Sequence, residues 1–541
     1  MTSTPIVNVS ALVSERAQTD PDGVALVESF GTGNAVTWRD LEAGVGAVGR
    51  ALAGGGLVAG HRVALVMTNR IEFVAGYLGV LRGGHVAVPM NPWSATGELM
   101  RMIADSGSRI VICDEDTVDN VRAAVSGLAA ALGNADADLR ARTIVPRIVV
   151  VGGGAGEDEI DYEAFLADAP DVAVVSPGDP EALAALLYTS GTSGKPRGVM
   201  LSHRALLANI EQVGRIEPAP MGPTDIVLGL LPLFHVYGLN VVLGQVLRTG
   251  SRLVLVQRFD HDQTLGIVAD HGVTNIPIAP PVVAAWAGRA DLRETLQGVT
   301  MVLSGASPLD QDLTELFVES GGVQVEQGYG LTEAAPVITS TLTARGREDD
   351  GSPKRGSVGA PVPGVEVRVL DGSGRDAQVG DPGEILVRGD NLFSGYWPDG
   401  DGAPGEDGWY PTGDVGVLDR DGDLSLVDRL RELVIVSGFN VYPSEVEDVI
   451  VELDEVAEAA VIGVPDPDTG EAVQAFVVAV DPDAAGPALV DAVRSHCESR
   501  LARFKWPRHV SVTTDLPHSA TGKVAKGRLR AQARRESLGL A

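Results

Sequence analysis

Short apolar runs of five or six residues recur along this chain, each closed by a Gly-, Ser- or Asp-rich turn, with helical stretches between them. Residues 62–67, RVALVM, read as a buried strand, and 71–81 as the helix that follows. The alternation returns with strands at 109–113, 251–256 and 299–303 and a helix at 263–271. Strands that are apolar throughout are covered on both faces, so the pattern calls for α/β architecture with helices packed on the sheets. At 541 residues the chain exceeds one ordinary domain, and 44% hydrophobic with 21% charged residues supports large cores and argues against disorder.

Charge and cysteine content exclude several classes. The 42 Lys and Arg stand against 73 Asp and Glu, a net charge of −31 that opposes a phosphate backbone and argues against nucleic-acid binding. Two cysteines, Cys113 and Cys497, are too few for a disulfide framework or a Cys-based zinc site and point to a reduced, cytoplasmic setting. The opening MTSTPIVNVS lacks the basic segment and apolar core of a signal peptide, and no apolar run reaches the roughly 20 residues of a membrane span. Residues 152–161, GGGAGEDEID, read as an exposed acidic loop.

The last 110 or so residues have a different texture. Residues 414–428 read as two strands around the turn Asp419-Arg420-Asp421-Gly422, and a boundary falls at Leu430-Arg431. Beyond it come a strand at 432–436, a helix capped by Ser444 with Glu447 completing a capping box, and strands at 456–464 and 473–480. Between Arg494 and Arg535 eleven basic residues face only Glu498 and Asp515. That run is either a solvated helix face or a landing site for a polyanion.

The stretch YTSGTSGKPRGVMLSH, 188–203, follows an apolar run at 183–187. Its glycines let backbone N–H groups approach an anion, its hydroxyls donate, and its lysine neutralises, so it suits a phosphate cradle as well as a polar surface loop. It is not a Walker A loop, because the spacing between glycines is too short and Pro196 follows Lys195. Taken alone, Glu333 reads as a surface carboxylate, and Asp414 and Arg429 each as a member of some structural salt bridge.

In full, 188–203 resembles the phosphate-loop signature of the adenylate-forming superfamily of acyl-CoA synthetases, luciferases and peptide-synthetase adenylation domains. PLFHVYGL at 232–239, SGASPL at 304–309, QGYGLTE at 327–333, YPTGD at 410–414, Asp428-Arg429 and LPHSATGKV at 516–524 follow in the family's order. The stretch 434–447, VIVSGFNVYPSEVE, is most similar to medium- and long-chain fatty acyl-CoA synthetases. The resemblance implies a large N-terminal domain (1–429) of α/β subdomains plus a small β-barrel. A hinge at 430–431 with Arg431 in the hinge position, and a small mobile α+β lid (432–541), complete that architecture.

It also implies the chemistry. A carboxylate attacks the α-phosphate of ATP, giving acyl-AMP and pyrophosphate, and a pantetheine thiol then displaces AMP. Both steps need like charges held together, so positioning and electrostatics should dominate. By resemblance Thr189, Ser190, Gly191, Thr192, Ser193, Gly194 and Lys195 hold the outer phosphates, and Tyr329 stacks on adenine. Gly305, Ala306, Ser307 and Gly330 line the nucleotide cleft. Thr332 bonds the α-phosphate, Glu333 ligates Mg²⁺, and Asp414 and Arg429 hold the ribose. Lys523 bridges carboxylate and nucleotide during adenylation. Ser437 and Gly438 line a pantetheine tunnel once the lid has turned.

His235 stands where amino-acid-activating relatives carry Asp, which counts against an α-amino acid and marks it as a gate or an orienter of the carboxylate. Apolar residues at 276–286 are expected to wall the acyl pocket. The expected acceptor is coenzyme A, with a free-standing holo acyl-carrier protein as the alternative. A fatty or related carboxylic acid is the expected substrate.

Overall fold

A computed structural model describes residues 6–133, 137–172, 174, 178–189, 196–306, 309–344, 346, 352–429, 432–436, 439–466, 469–501, 503–518 and 522–537. Two large sheets dominate it. The seven-stranded sheet runs Ile160–Asp161, Arg147–Val151, Ile110–Asp114, Arg62–Val66, Val86–Pro89, Leu183–Thr189, Arg197–Ser202, parallel until its last, antiparallel pair. In the nine-stranded sheet the strands Val24–Glu28, Arg252–Leu255, Ile226–Gly229, Asn275–Ile278, Met301–Ser304 and Val325–Gly330 form the parallel centre. Antiparallel strands close both of its edges.

The apolar-throughout pattern has the cause the sequence indicates. Val63 and Leu65 enter one core while Ala64 and Val66 enter another on the opposite face, and Ile110 and Ile112 alternate with Val111 and Cys113 in the same way. The first of these cores joins both large sheets and the helix Ile71–Arg82. That helix crosses the helix Trp38–Gly54 at Gly79, where a Cβ would stand 2.5 Å from Val48 Cβ and 3.0 Å from the Val45 carbonyl. Arg82 ties the same pair by a two-pronged bond to Glu42, 2.7 and 2.9 Å.

Where a small barrel is expected, the strands Val365–Leu370, Gly383–Gly389, Tyr410–Leu418 and Leu424–Arg429 make a four-stranded antiparallel sheet. The C-terminal unit has a five-stranded sheet, helices Pro443–Val451, Pro487–Arg500 and Lys526–Ser537, and a core of its own that includes Val446, Ile450, Val461 and Val493. Both cysteines are buried and free, Cys113 on a strand of the seven-stranded sheet and Cys497 in the C-terminal core. Among the described residues no helix is long and apolar enough to cross a membrane.

Several local expectations shift. The capping box at Ser444 does not form: Pro443 opens the helix with its fixed φ, Tyr442 takes the cap position, and the Ser444 hydroxyl donates to the Val427 carbonyl at 2.7 Å. Glu447 instead accepts from the Val461 amide and pairs with Lys526 at 2.8 Å. The helix expected at 263–271 begins at His261, because Asp260 caps the amides of Asp262 and Gln263. The strand expected at 299–303 is Met301–Ser304, since Val299 closes a turn onto the Leu296 carbonyl. Residues 152–159 do form turns and irregular backbone, but Glu159 folds back onto Arg122 at 2.8 Å and Ile160–Asp161 joins the sheet.

The helix crossing gives a direct test. Gly79→Ala drives a methyl into Val48 and should destabilise the N-terminal region by roughly 1–3 kcal/mol. Thermal unfolding would register this as a lower midpoint, and an unchanged midpoint would mean the crossing can open without cost.

Candidate active site

Open α/β sheets bind ligands beyond the carboxyl ends of their parallel strands. Four such ends here release site segments on the same edge: Gly229 leads to the His235 turn, Ile278 to Pro281, Ser304 to Gly305-Ala306, and Gly330 to Thr332-Glu333. Each segment needs small residues. At Gly305 a Cβ would meet the Tyr237 ring at 2.8 Å, and at Gly330 it would meet the Pro336 carbonyl at 2.1 Å. Ala306 sits at φ +76°, a left-handed conformation that costs an alanine on the order of 1–3 kcal/mol and is tolerated only where the surroundings impose it.

The strands on either side of the phosphate stretch, Leu183–Thr189 and Arg197–Ser202, pair as an antiparallel hairpin with Thr189 opposite Arg197. Ser190, Gly191, Thr192, Ser193, Gly194 and Lys195 lie outside the described residues, as do Ser307, Arg431, Ser437 and Gly438. The feet of the hairpin are anchored. Tyr188 donates to the Asp105 carboxylate at 2.7 Å, Arg142 holds the other oxygen at 2.9 Å, and Trp397 donates to the Asp105 carbonyl at 2.9 Å while its own amide bonds Gly198. On the inner foot Arg197 lies over the Tyr396 ring, 3.6 Å from its centre. The Tyr396 hydroxyl donates to Glu333 Oε1 at 2.6 Å, so the hairpin and Glu333 face one another across a single aromatic ring.

Tyr329 and Asp414 also meet, the phenol donating to Asp414 Oδ2 at 2.7 Å. Asp414 and Arg429, 15 residues apart, are direct cross-strand partners. Thr332 and Glu333 occupy a single 3₁₀ turn pinned by the Phe393 amide on the Glu333 carbonyl, 2.9 Å. Glu333 suits a hard cation. Its Oε1 is taken by Tyr396, and Oε2 accepts no bond among the described residues.

His235 is half-buried, and its Nδ1 accepts from the Tyr237 amide at 3.3 Å. Loss of water around the ring, and then the nearby Lys523 charge, lower its pKa to about 4. At neutral pH the ring is therefore uncharged with its proton on Nε2, a donor. Lys523 reaches this turn from the C-terminal unit: Gly522, at φ +79°, leaves only 2.6 Å between its Cβ position and Pro281. Gly522 thus packs against the start of the helix Pro280–Trp286, within electrostatic reach of His235 for the Lys523 that follows it.

The expected acyl wall is only partly there. Ile276, Ile278, Val282, Val283 and Trp286 pack into a core on the far face of the sheet, as the period-2 alternation of the strand Asn275–Ile278 requires, whereas Ala279 packs against the main core. Four of the eleven residues of the C-terminal basic run have acidic partners: Arg500 pairs with Glu452, Lys505 with Glu445, Arg508 with Asp466, and Lys526 with Glu432 and Glu447. Of Arg197, Tyr396 and Asp105, sequence reasoning named only the first, as one of the two cations of the phosphate stretch. A cluster of Phe393, Tyr396 and Trp397 in a chain only 4% aromatic is the signal that could have flagged the second; nothing in the sequence marks Asp105.

Comparison with known proteins decides the family. Residues 13–397 match the AMP-binding enzyme model and residues 445–523 the AMP-binding enzyme C-terminal domain. The chain belongs to the AMP-binding enzyme family. It is thus a member of the adenylate-forming superfamily and an AMP-forming acid–thiol ligase by class. A 4-coumarate–CoA ligase of Oryza sativa subsp. japonica is 32% identical over 96% of the chain and 93% of its own length. A long-chain-fatty-acid–CoA ligase of Escherichia coli O157:H7 is 33% identical over 93% and 91%. The structure of ATP-bound MatB from Rhodopseudomonas palustris superposes with a TM-score of 0.83 at 30% identity, covering 97% of this chain and 99% of that one.

Two histidines give a pH signature. His203, which the phosphate stretch ends on, is also held down to about 4, chiefly by burial, with the Val9 amide donating to its Nδ1. Above the ordinary value of 6.5 both folded and unfolded states are neutral; as pH falls toward 4 only the unfolded chain takes the proton, so stability is lost. Relative to His203→Gln, the wild type should lose up to about 1.4 kcal/mol per pH unit between 6.5 and 4. Unfolding free energies measured across that window check it, and a pH-independent difference would refute the assignment.

Proposed function

We propose that the protein activates a fatty or related carboxylic acid to its acyl-AMP and then passes the acyl group to the pantetheine thiol of coenzyme A. The observation that supports this is the approach of the lysine segment to the N-terminal region, where Gly522 packs on Pro281 and the Lys523 charge is felt at His235. A carboxylate and a triphosphate repel one another, and a cation delivered between them is what adenylation most requires. In this reading Lys523 bridges the incoming carboxylate and the α-phosphate, and the His235 Nε2–H donates to the carboxylate. Thr189 and residues 190–195 hold the departing pyrophosphate, with Thr332 on the α-phosphate. Tyr329 and Asp414, already bonded to each other, and Arg429 hold the nucleoside. Glu333 would hold Mg²⁺, which neutralises phosphate charge when bound.

The unit boundaries proposed are 1–429 and 432–541, with Arg431 as the hinge. Their separate cores support this division. Turning the lid takes Lys523 away and brings Ser437 and Gly438 to the thiol path. A neutral histidine, with no carboxylate in its place, disfavours an α-amino acid. Acids as unlike as long-chain fatty acids and 4-coumarate appear in relatives of similar identity, so the acid is the open variable. Internal pairing of four of the basic residues weakens the charge argument for a carrier protein and for coenzyme A alike, and it is the CoA ligases among the relatives that support coenzyme A.

Pyrophosphate exchange with a panel of fatty acids and 4-coumarate should give activity with the fatty acids. Product mass after offering coenzyme A and holo acyl-carrier protein together should identify acyl-CoA, and acylated carrier alone would replace this reading. Lys523→Ala should lose about 10²–10³ in adenylation rate while acyl transfer from supplied acyl-AMP survives. Equal losses in both half-reactions would remove Lys523 from the role.

A further inference from the structure

Tyr396 is the residue at which three parts of the candidate site meet. Its ring lies beneath the Arg197 guanidinium on the foot of the phosphate hairpin, and its hydroxyl donates to Glu333 Oε1. That hydroxyl also stands 3.4 Å from the hydroxyl of Tyr410, which opens the strand carrying Asp414. The ring is itself held. Phe393 meets both Tyr396 and Tyr410 edge-on at 5.1 Å, and the backbone of Tyr396 bridges to Val199 and bonds Asp401. A phenol fixed this way has little freedom to follow the carboxylate, so the carboxylate must follow it.

We propose that Tyr396 is a positioning residue for the cation site: by occupying Oε1 of Glu333 it fixes the carboxylate rotamer and commits Oε2 to the divalent ion that accompanies ATP. This rests on the reading of Glu333 as the magnesium ligand. An acidic side chain on a short 3₁₀ turn would otherwise rotate freely among solvent-exposed orientations, each of which must be frozen when metal binds. Partners that orient a ligating group are worth roughly 10–100-fold in metal affinity. The same ring carries Arg197, so the carboxylate orientation and the foot of the phosphate hairpin share one rigid support.

Tyr396→Phe tests this, because it keeps the ring beneath Arg197 and against Phe393 and removes only the donor. Mn²⁺ binding in the presence of α,β-methylene ATP, followed by electron paramagnetic resonance, should weaken by about 10-fold or more in Tyr396→Phe. The Mg²⁺ concentration for half-maximal pyrophosphate exchange should rise in proportion, with exchange partly restored at high Mg²⁺. The KM for the acid and acyl transfer from supplied acyl-AMP should stay near wild type. If Tyr396→Phe binds Mn²⁺ as the wild type does while Glu333→Gln does not, the positioning role is wrong and the ligand assignment stands. If Glu333→Gln also binds Mn²⁺ normally, the ligand assignment itself fails and takes the proposal with it.

Discussion

Repulsion between a carboxylate and a triphosphate is the constraint to which the arrangement of this chain answers. Positive groups must reach the meeting point without being neutralised on the way, in a chain whose net charge is −31. The two cations that reach the described site come from separate parts of the fold. Arg197 is carried by a hairpin of the seven-stranded sheet, and Lys523 by a loop of the C-terminal unit. Arg197 rests on an aromatic face, and Lys523 lowers the pKa of a neutral histidine. Arg197 on its ring contrasts with Arg500, Lys505, Arg508 and Lys526 of the C-terminal unit, each of which has an acidic partner.

That contrast explains what a sequence reading could and could not extract. Alternation of apolar runs made the two-sided strands legible, because burial on both faces leaves no polar position to confuse the period, as Ala64 and Leu65 illustrate. The charge of residues 494–535 was visible, yet its meaning was not. Whether a lysine is solvated, paired or poised depends on which acidic residue folds opposite it, and Glu445, Glu452 and Asp466 lie tens of residues upstream. The Ser444 cap failed for a related reason: a serine followed three residues later by Glu satisfies the local pattern, but Pro443 and the Val427 carbonyl outcompete it.

Motif residues were legible as points, whereas the bonds that join them were not. Tyr329 and Asp414 were read for two different parts of one nucleotide, and they turn out to share a hydrogen bond. The register of a single hairpin sets Asp414 against Arg429. Residues that contribute through other residues left little trace. Asp105, at the far end of a helix, holds Tyr188, Arg142 and Trp397 at once, and no spacing rule would select it.

His235 shows how the same environment sets both charge state and direction. Its backbone-bonded Nδ1 fixes the tautomer, and desolvation together with Lys523 keeps the ring neutral, so it can only donate through Nε2. A protonated histidine beside Lys523 would compete for the carboxylate and trap it; a neutral one lends a single directed hydrogen bond. The division of labour is then physical rather than nominal. In the proposed reaction the lysine would supply charge that leaves when its unit moves, while the histidine, held within the N-terminal sheet's own turn, would supply orientation that stays.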